Sequence, residues 1–315
     1  MLRLSVGQHT TETSSRFVAK RWLLGGALSM ALLTGCLPVS GSRIAQPTDS
    51  PLSRPEQIAQ GTEEPLQQAD VLRAITPTQV VYLAETHTDV ADHTAQLKIV
   101  QSLAQQGEIA IALEMFQRPF QSALDAYLAG SLTEEALIAE SEYSERWGYD
   151  WEFYAPILRY AKANQIPLIA LNTPAEVTRQ VAKEGLESLT GDALEHIPAV
   201  ADIDTDDPAY RDWISEIFSG HEGTGHSLNF DNFFATQVLW DETMADGIVR
   251  QLAAAPERQV IVLVGEGHVA YDYGIPSRVE RRMPEVTQVS VQLVAEDEEI
   301  DPAVADFVWV TSETD

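Results

Sequence analysis

Cysteine is nearly absent from this sequence: Cys36 is the only one among 315 residues. A single cysteine excludes an intramolecular disulfide, so an exported form must derive its stability from a hydrophobic core. Positive charge is also scarce, with 20 Lys and Arg residues against 48 Asp and Glu residues and a formal net charge of −28. Because such a surface repels phosphate groups, nucleic acid is excluded as an expected partner.

Long hydrophobic runs are missing except for one near the N-terminus. Residues 22–35 read WLLGGALSMALLTG and follow a basic stretch. This run is too short for a stable transmembrane helix but is typical of a secretory signal. Its end, Leu33–Cys36, resembles the lipobox of bacterial lipoproteins, although an ordinary secretory signal with a stray cysteine is the alternative. We therefore predict a signal peptide over residues 1–35 and lipidation of Cys36.

The next segment has the composition of a linker. Residues 37–65 contain five prolines and almost no apolar periodicity, which is typical of a flexible tether. We predict a tether over residues 36–65 and one folded domain over residues 66–315. A signal peptide, a lipidated cysteine, a tether and a folded domain, in this order, predict an exported lipoprotein anchored in a membrane. Leu37, rather than Asp, follows Cys36. If the host is Gram-negative, this favours delivery to the periplasmic side of the outer membrane.

The remaining chain alternates apolar runs with segments of helical spacing. This alternation predicts a three-layer α/β/α fold around a mostly parallel sheet, because short continuous apolar strands are buried on both faces. Residues 174–256 show helical spacing without a convincing strand, so we predict a helical insertion there. The predicted strands cover residues 79–84, 109–115, 166–172, 258–265 and 286–294.

Polar side chains follow the predicted strands. VVYLAETH ends on Glu85 and His87, and VIVLVGEGH ends on Glu266 and His268. Glu114 follows the second strand and Asn172 the third. Carboxyl ends of parallel strands meet at one edge of a sheet, where ligands bind. Carboxylates and imidazoles there indicate either general acid–base catalysis or a metal site.

Other patterns exclude several classes of site. HEGTGH, which contains His221 and His226, has one residue too many for the zinc-protease helix motif and two glycines that disfavour the helix. No Walker A, nucleophile-elbow or Cys–His zinc pattern occurs. The aromatic-rich stretch over residues 143–154 is typical of core packing, and its alternative role is the wall of a pocket for a flat apolar ligand.

Five motifs together resemble the ChaN family of haem-binding uptake lipoproteins, in a superfamily with the Tiki, TraB and erythromycin-esterase proteins. They are YLAETH, IALEMF, RWGYDWEFYAPILRYAKANQIPLIALNTPAEV, QVLWDETMA and VLVGEGHVAYDYGIP. The first motif usually opens with Gly, whereas this chain has Ala84. The resemblance implies a three-layer α/β core with a helical insertion, haem binding and a possible homodimer. For the superfamily it implies hydrolysis by Glu85, His87, Glu114 and His268, with Glu85, His87 and His268 as metal ligands in the metal-dependent version.

Haem requires an apolar slot and an axial ligand, and a phenolate suits ferric iron. Tyr210 lies in the predicted insertion near Trp213 and Phe218, whereas Tyr271 and Tyr273 follow the second Glu-x-His sequence. Histidine also ligates haem iron, so His221 and His226 are further candidates. Spacing does not choose among these five residues, and we take Tyr210 as the first candidate. The candidate cations for the propionates are Arg118, Arg146 and Arg211.

These patterns lead to one preferred function and two alternatives. We expect a lipid-anchored haem-binding protein of haem or iron uptake, with haem and the membrane as its partners. The first alternative is a hydrolase that uses a divalent metal ion as cofactor in the Glu/His cluster. The second is a structural lipoprotein that binds neither haem nor metal specifically.

Overall fold

The computed structural model describes residues 66–219, 229–296, 298 and 301–311. The predicted signal peptide, the tether, Cys36, His221 and His226 lie outside the described residues. Within the described ranges, none of the helices has both the length and the apolar character that crossing a bilayer demands.

Six strands form one sheet in the order β3-β2-β4-β1-β5-β6, and every neighbouring pair is parallel. The sheet confirms five predicted strands and adds β6, a short edge strand that the sequence analysis missed. The strands are β1 (Val80–Glu85), β2 (Ile109–Gln117), β3 (Leu168–Asn172), β4 (Gln259–Gly265), β5 (Gln288–Ala295) and β6 (Phe307–Thr311).

The described ranges contain ten α-helices, together with several one-turn 3₁₀ helices. The α-helices are α1 (Gln68–Ile75), α2 (Val90–Ala104), α3 (Gln121–Leu128), α4 (Glu134–Glu140), α5 (Tyr143–Arg146), α6 (Trp151–Asn164), α7 (Ala175–Glu184), α8 (Pro208–Ser219), α9 (Phe230–Ala254) and α10 (Ile275–Arg282).

Helices cover both faces of the sheet, which confirms the predicted three-layer fold. Successive strand residues point to opposite faces, so Val81 and Leu83 of β1 pack in one cluster with α1, α2, α3 and α6. Val80 and Tyr82 of the same strand pack in a second cluster with α9 and α10. Burial on both faces explains why β1 is apolar at every position before Glu85.

The helical segment between β3 and β4 packs in two different places. Its first part forms a separate apolar cluster that includes Val181 of α7, Tyr210 of α8 and Val238 of α9. The later part of α9 instead lies on the sheet, where Met244 and Ile248 join the second cluster. Within the predicted insertion at residues 174–256, the end of α9 is therefore a layer of the core fold.

Helix α6 begins at Trp151, where a side chain caps its first turn. The Asp150 side chain accepts a hydrogen bond from the Glu152 backbone N–H at 3.0 Å, which satisfies a free donor of the first turn. The helix ends at Gln165, whose left-handed φ of 54° stops the helical geometry. These ends fix the position of Tyr154, which is fully buried against the sheet.

Candidate functional site

Four polar side chains meet at the carboxyl edge of the sheet, and we call Glu85, His87, Glu114 and His268 the strand-end cluster. Strand β4 lies between β1 and β2, so side chains that follow these three strands become neighbours although they are far apart in sequence. Glu85 is 0% exposed, Glu114 5% and His268 8%. Burial makes the charge interactions within the cluster strong.

Glu85 is held by donors on both carboxylate oxygens. Oε1 accepts from His87 Nδ1 at 2.8 Å and from the Tyr154 hydroxyl at 2.5 Å. Oε2 accepts from Gln96 Nε2 at 2.5 Å and lies 3.6 Å from His93 Nδ1. Burial by itself raises the pKa of Glu85, but the His87 hydrogen bond and the charges of His93 and His87 outweigh it and lower the pKa. Glu85 is therefore a carboxylate that orients the His87 ring.

Aromatic side chains surround the two histidines beside Glu85. The His87 ring lies 4.8 Å from the Trp147 ring and 5.0 Å from the Tyr149 ring. The His93 ring stacks on Phe153 at 5.0 Å, and its Nε2 lies 3.1 Å from the His87 carbonyl oxygen. The aromatic-rich stretch thus forms one wall of the candidate site and is also part of the core.

A bulge in β2 places Glu114 in the cluster. The pairing of β2 with β3 shifts register between Leu113 and Gln117, which re-aims the intervening side chains. The Asn172 side chain donates to the Glu114 carbonyl oxygen at 2.9 Å, and Glu114 Oε2 accepts from the Gly265 backbone N–H at 2.7 Å. Burial by itself raises the pKa of the Glu114 carboxyl group. The charge of His268 and the hydrogen bonds from His268 and from the Gly265 backbone outweigh burial and lower this pKa to about 2.

His268 lies between two carboxylates. Its Nδ1 donates to Asp241 Oδ1 at 2.6 Å, and its Nε2 lies 3.4 Å from Glu114 Oε1. Burial lowers the pKa of His268, but Glu114 and Asp241 together raise it to about 10. The Tyr210 hydroxyl donates to Asp241 Oδ2 at 2.6 Å. Tyr210, Asp241, His268 and Glu114 therefore form one buried chain that holds His268 protonated.

Two further carboxyl groups near the cluster have raised pKa values. Burial and neighbouring carboxylates raise the pKa of Asp92, which accepts from the Thr86 backbone N–H at 2.8 Å, to about 7. Burial and the charge of Glu298 raise the pKa of Glu266, which accepts from Gln292 at 2.8 Å, to about 7. Glu266 therefore differs from Glu114, since it is close to half-protonated at neutral pH.

The residues present do not fit the predicted metal site. In the part of the chain that the structure describes, no group of three or more His, Cys, Asp or Glu side chains is arranged to hold a metal ion. The physical reason lies in the ring nitrogens: a metal ligand needs a deprotonated nitrogen directed at the ion. Both nitrogens of His268 face carboxylates, and the carboxylate of Glu85 is already occupied by His87, Tyr154 and Gln96.

The three candidate tyrosines for haem occupy different environments. Tyr210 is fully buried, and burial together with Asp241 raises the pKa of its hydroxyl well above 10. Tyr271 and Tyr273 are partly exposed and lie 6.1 and 6.2 Å, between ring centroids, from Trp213. Of the three, Tyr271 and Tyr273 are partly exposed and Tyr210 is not, and the choice of axial ligand stays a prediction.

The three arginines expected near haem propionates all have carboxylate partners. Arg118 forms an ion pair with Asp246 at 2.9 Å, and Arg211 pairs with Asp231. Arg146 pairs with Glu142 and Glu176. A propionate would have to displace an existing partner at each of them.

Four residues of the site were missed in the sequence analysis. They approach the strand-end cluster from helices, so no strand-end pattern marks them. Two of them do fall inside the resemblance motifs, Tyr154 in WEFYAPIL and Asp241 in QVLWDETMA. The missed residues are His93, Gln96, Tyr154 and Asp241.

Comparison with known proteins agrees with the fold. ChaN of Campylobacter jejuni, solved with cofacially bound haem, superposes with a TM-score of 0.61 at 19% identity, over 78% of this chain and 92% of that one. An erythromycin esterase mutant in its open conformation gives a TM-score of 0.44 at 14% identity, over 72% of each chain. At these identities the likeness concerns the fold.

Among curated proteins, RETICULATA-RELATED 5, a chloroplastic protein of Arabidopsis thaliana, is 28% identical over 262 residues. The match covers 74% of this chain and 34% of the relative, so the chain spans about a third of that protein's length. The family model for haem-binding uptake, Tiki superfamily, ChaN matches residues 71–279. This match includes every member of the strand-end cluster and all three candidate tyrosines, and the chain belongs to this family.

Proposed function

We propose that this protein binds haem on an aromatic face formed by Trp213, Tyr271 and Tyr273. One observation carries the proposal: two partly exposed tyrosines lie side by side, with ring centroids 5.9 Å apart, against a tryptophan. Flat apolar ligands pack on such rings, and a phenolate oxygen is a known ligand of ferric haem. Membership of the haem-binding uptake family supports the same function.

The backbone is strained at one residue of this face, Tyr271, and at its neighbour Asp272. Tyr271 and Asp272 both have left-handed φ angles, 56° and 61°. Each such residue costs about 1–3 kcal/mol, and strain of this kind is concentrated at functional sites. Burial and the Asp301 charge raise the pKa of Tyr271, while burial and Asp207 raise that of Tyr273. Iron must therefore displace a proton to bind either oxygen, so haem affinity should increase with pH.

A haemin titration of the full chain, followed by absorbance, tests the proposal. We expect a saturable Soret shift at fixed stoichiometry. Tyr271→Phe or Tyr273→Phe should remove the tyrosinate band in the visible region and weaken binding roughly 10–100-fold, since the iron loses its anionic ligand.

The matched control is Tyr160→Phe, a partly buried tyrosine on α6. A drifting, non-saturating spectrum for the unmutated protein would contradict haem binding. If Tyr210→Phe alone removed the band, the ligand would be Tyr210, and its hydroxyl would have to leave Asp241.

We further propose that lipid on Cys36 anchors the haem site at a membrane, for haem or iron uptake. The N-terminal pattern supports it, because a short apolar run leads to a cysteine after small residues. Cells that express the full chain should incorporate labelled palmitate into the wild type and not into Cys36→Ser. Equal labelling of both chains would contradict the anchor.

A second candidate function is acid–base hydrolysis at the strand-end cluster, favoured by two buried histidines that are each held by a carboxylate. The carboxylate of Glu85 orients His87, as in sites where an imidazole acts as general base. His268 is kept protonated, and to donate to a reacting oxygen its Nε2–H would have to turn away from Glu114 Oε1, 3.4 Å away. In this scheme the neutral form of His87 takes a proton from water, and the hydroxide oxygen forms a bond to a carbonyl carbon. His87 then returns the proton to the leaving group as the bond between that group and the carbonyl carbon breaks.

A further inference from the structure

A cavity of about 280 Å³ opens beside the edge strand β3. Its lining comes from β3, from the connection between β2 and α3, from the end of α9 and from the segment between α7 and α8. No member of the strand-end cluster lines it, and neither do Trp213, Tyr271 or Tyr273. The cavity is therefore distinct from the two candidate sites at the strand-end cluster and the aromatic face.

One wall of the cavity is apolar and is kept from pairing with a further strand. Ile169 and Ala170 of β3 line this wall. The Gln121 side chain donates from Nε2 to the Leu168 carbonyl oxygen at 2.8 Å, and its Oε1 accepts from the Ala170 backbone N–H at 2.7 Å. These bonds occupy backbone groups of the sheet edge that could otherwise pair with another strand. The wall is therefore fixed and stays open to a small ligand.

A glycine in α9 lets the Arg118 side chain form part of a second wall. Glycine disfavours a helix interior, yet Gly247 lies inside α9. A Cβ atom at Gly247 would lie 2.8 Å from Leu171 Cδ2 and 3.2 Å from Arg118 Nη2. The Arg118 guanidinium donates to the backbone carbonyl oxygens of Thr243 and His196. Arg118 is therefore already ordered, which lowers the entropy cost of binding a ligand beside it.

Two arginines at this cavity share one carboxylate. Asp246 Oδ2 lies 2.9 Å from Arg118 Nη2 and 2.9 Å from Arg250 Nε, so one positive charge is not balanced. Arg250 uses only its Nε in this pair, and within the described residues its two Nη groups have no acceptor. The other carboxylate of the lining, Glu195, is 71% exposed and lies 4.0 Å from His196 Nε2. Solvent screens the charge of so exposed a group.

We propose that this cavity binds a small organic monocarboxylate, with its carboxylate on the Nη groups of Arg250 and its carbon chain against Ile169 and Ala170. A guanidinium group offers paired N–H donors that match the two oxygens of a carboxylate. One unbalanced positive charge suits a monoanion better than a phosphate dianion. Because Arg250 keeps its Nε contact with Asp246, the ligand displaces no existing partner. The cavity volume is at the lower end of the range for ligand pockets, which favours a small molecule.

Thermal unfolding of the full chain with sodium butyrate, at an ionic strength matched with sodium chloride, tests the site. We expect Tm to rise saturably, by about 3–6 °C at ten times the apparent Kd. Butyramide, the uncharged analogue of butyrate, should bind about tenfold more weakly, since it loses the charged hydrogen bonds. Acetate should bind about three- to tenfold more weakly than butyrate, because it lacks two methylene groups that contact the apolar wall.

Arg250→Gln should lower the butyrate affinity about tenfold. The matched control is Arg73→Gln, which also removes an exposed helix arginine paired with an aspartate of the same helix, Asp70, and it should leave the affinity unchanged. Equal affinity in Arg250→Gln and the unmutated chain, or equal effects of butyrate and butyramide, would overturn the proposal. Tighter binding of inorganic phosphate than of butyrate would also overturn it.

A haemin titration of Arg250→Gln separates this site from the proposed haem site. We expect the haem affinity of this variant to match that of the unmutated chain, because Arg250 does not belong to the aromatic face. A large loss would mean that the cavity takes a haem propionate and would overturn a separate carboxylate site. Failure of the unmutated chain to bind haem would leave the butyrate result unaffected.

Discussion

Replacing Asp241 with Asn is expected to lower the pKa of His268 by at least about two units from its value of about 10. Burial favours the neutral ring, and only the charges of Glu114 and Asp241 reverse that preference. Asparagine keeps the shape and can still accept from Tyr210, but it carries no charge. NMR titration of the His268 ring protons from pH 5 to 11 measures the change.

The same substitution should change how stability depends on pH. The folded pKa of His268 lies above its unfolded value of about 6.5. Its stabilising contribution is therefore complete below pH 6.5 and is lost as the pH rises towards 10. At pH 6 we expect Asp241→Asn to lower the free energy of unfolding by about 2–4 kcal/mol. The difference between wild type and variant should shrink as the pH rises.

Tyr210→Phe is the matched control, since it removes the hydrogen bond to Asp241 and keeps the Asp241 charge. It should shift the His268 pKa by less than about one unit. If His268 in Asp241→Asn still titrated near pH 10, the buried chain would not be what holds the proton.

The second large effect concerns turnover. If the strand-end cluster is an active site, the full chain should hydrolyse members of an ester and amide panel, and His87→Ala combined with Glu114→Gln should lower kcat by about 10³-fold or more. General acid–base groups typically contribute about 10²–10⁴-fold. The same double variant should leave haem affinity nearly unchanged, because the aromatic face of Trp213, Tyr271 and Tyr273 is built from other residues.

The control for this experiment is His196→Ala, a half-buried histidine that belongs to neither site. Its turnover and haem affinity should both match the unmutated chain. Absence of turnover in the unmutated chain, with Mn, Co and Zn each supplied and with chelator, would remove the hydrolase as a candidate. A large loss of haem affinity in the double variant would instead place haem at the strand-end cluster.

The local sequence pattern was enough to predict most strands of the sheet. Strands β1 to β5 are continuous apolar runs, and such runs bury both faces of a parallel sheet. Strand β6 lacks this signal, because Phe307 and Val308 are only partly buried and Val310 is 36% exposed at the sheet edge. The end of the insertion could not be predicted from local pattern either. Helix α9 is one continuous helix in the sequence, but its first part packs in the cluster of the insertion and its later part packs on the sheet.

By itself, the sequence determined that acids and histidines end several strands, because each follows an apolar run that can only be buried. Tertiary structure decided how they are used. Asp241 reaches His268 across 27 residues, and Tyr154 reaches Glu85 across 69. Those contacts depend on helix packing, which no local period encodes. The same packing keeps His268 protonated between two carboxylates and orients the His87 ring on Glu85.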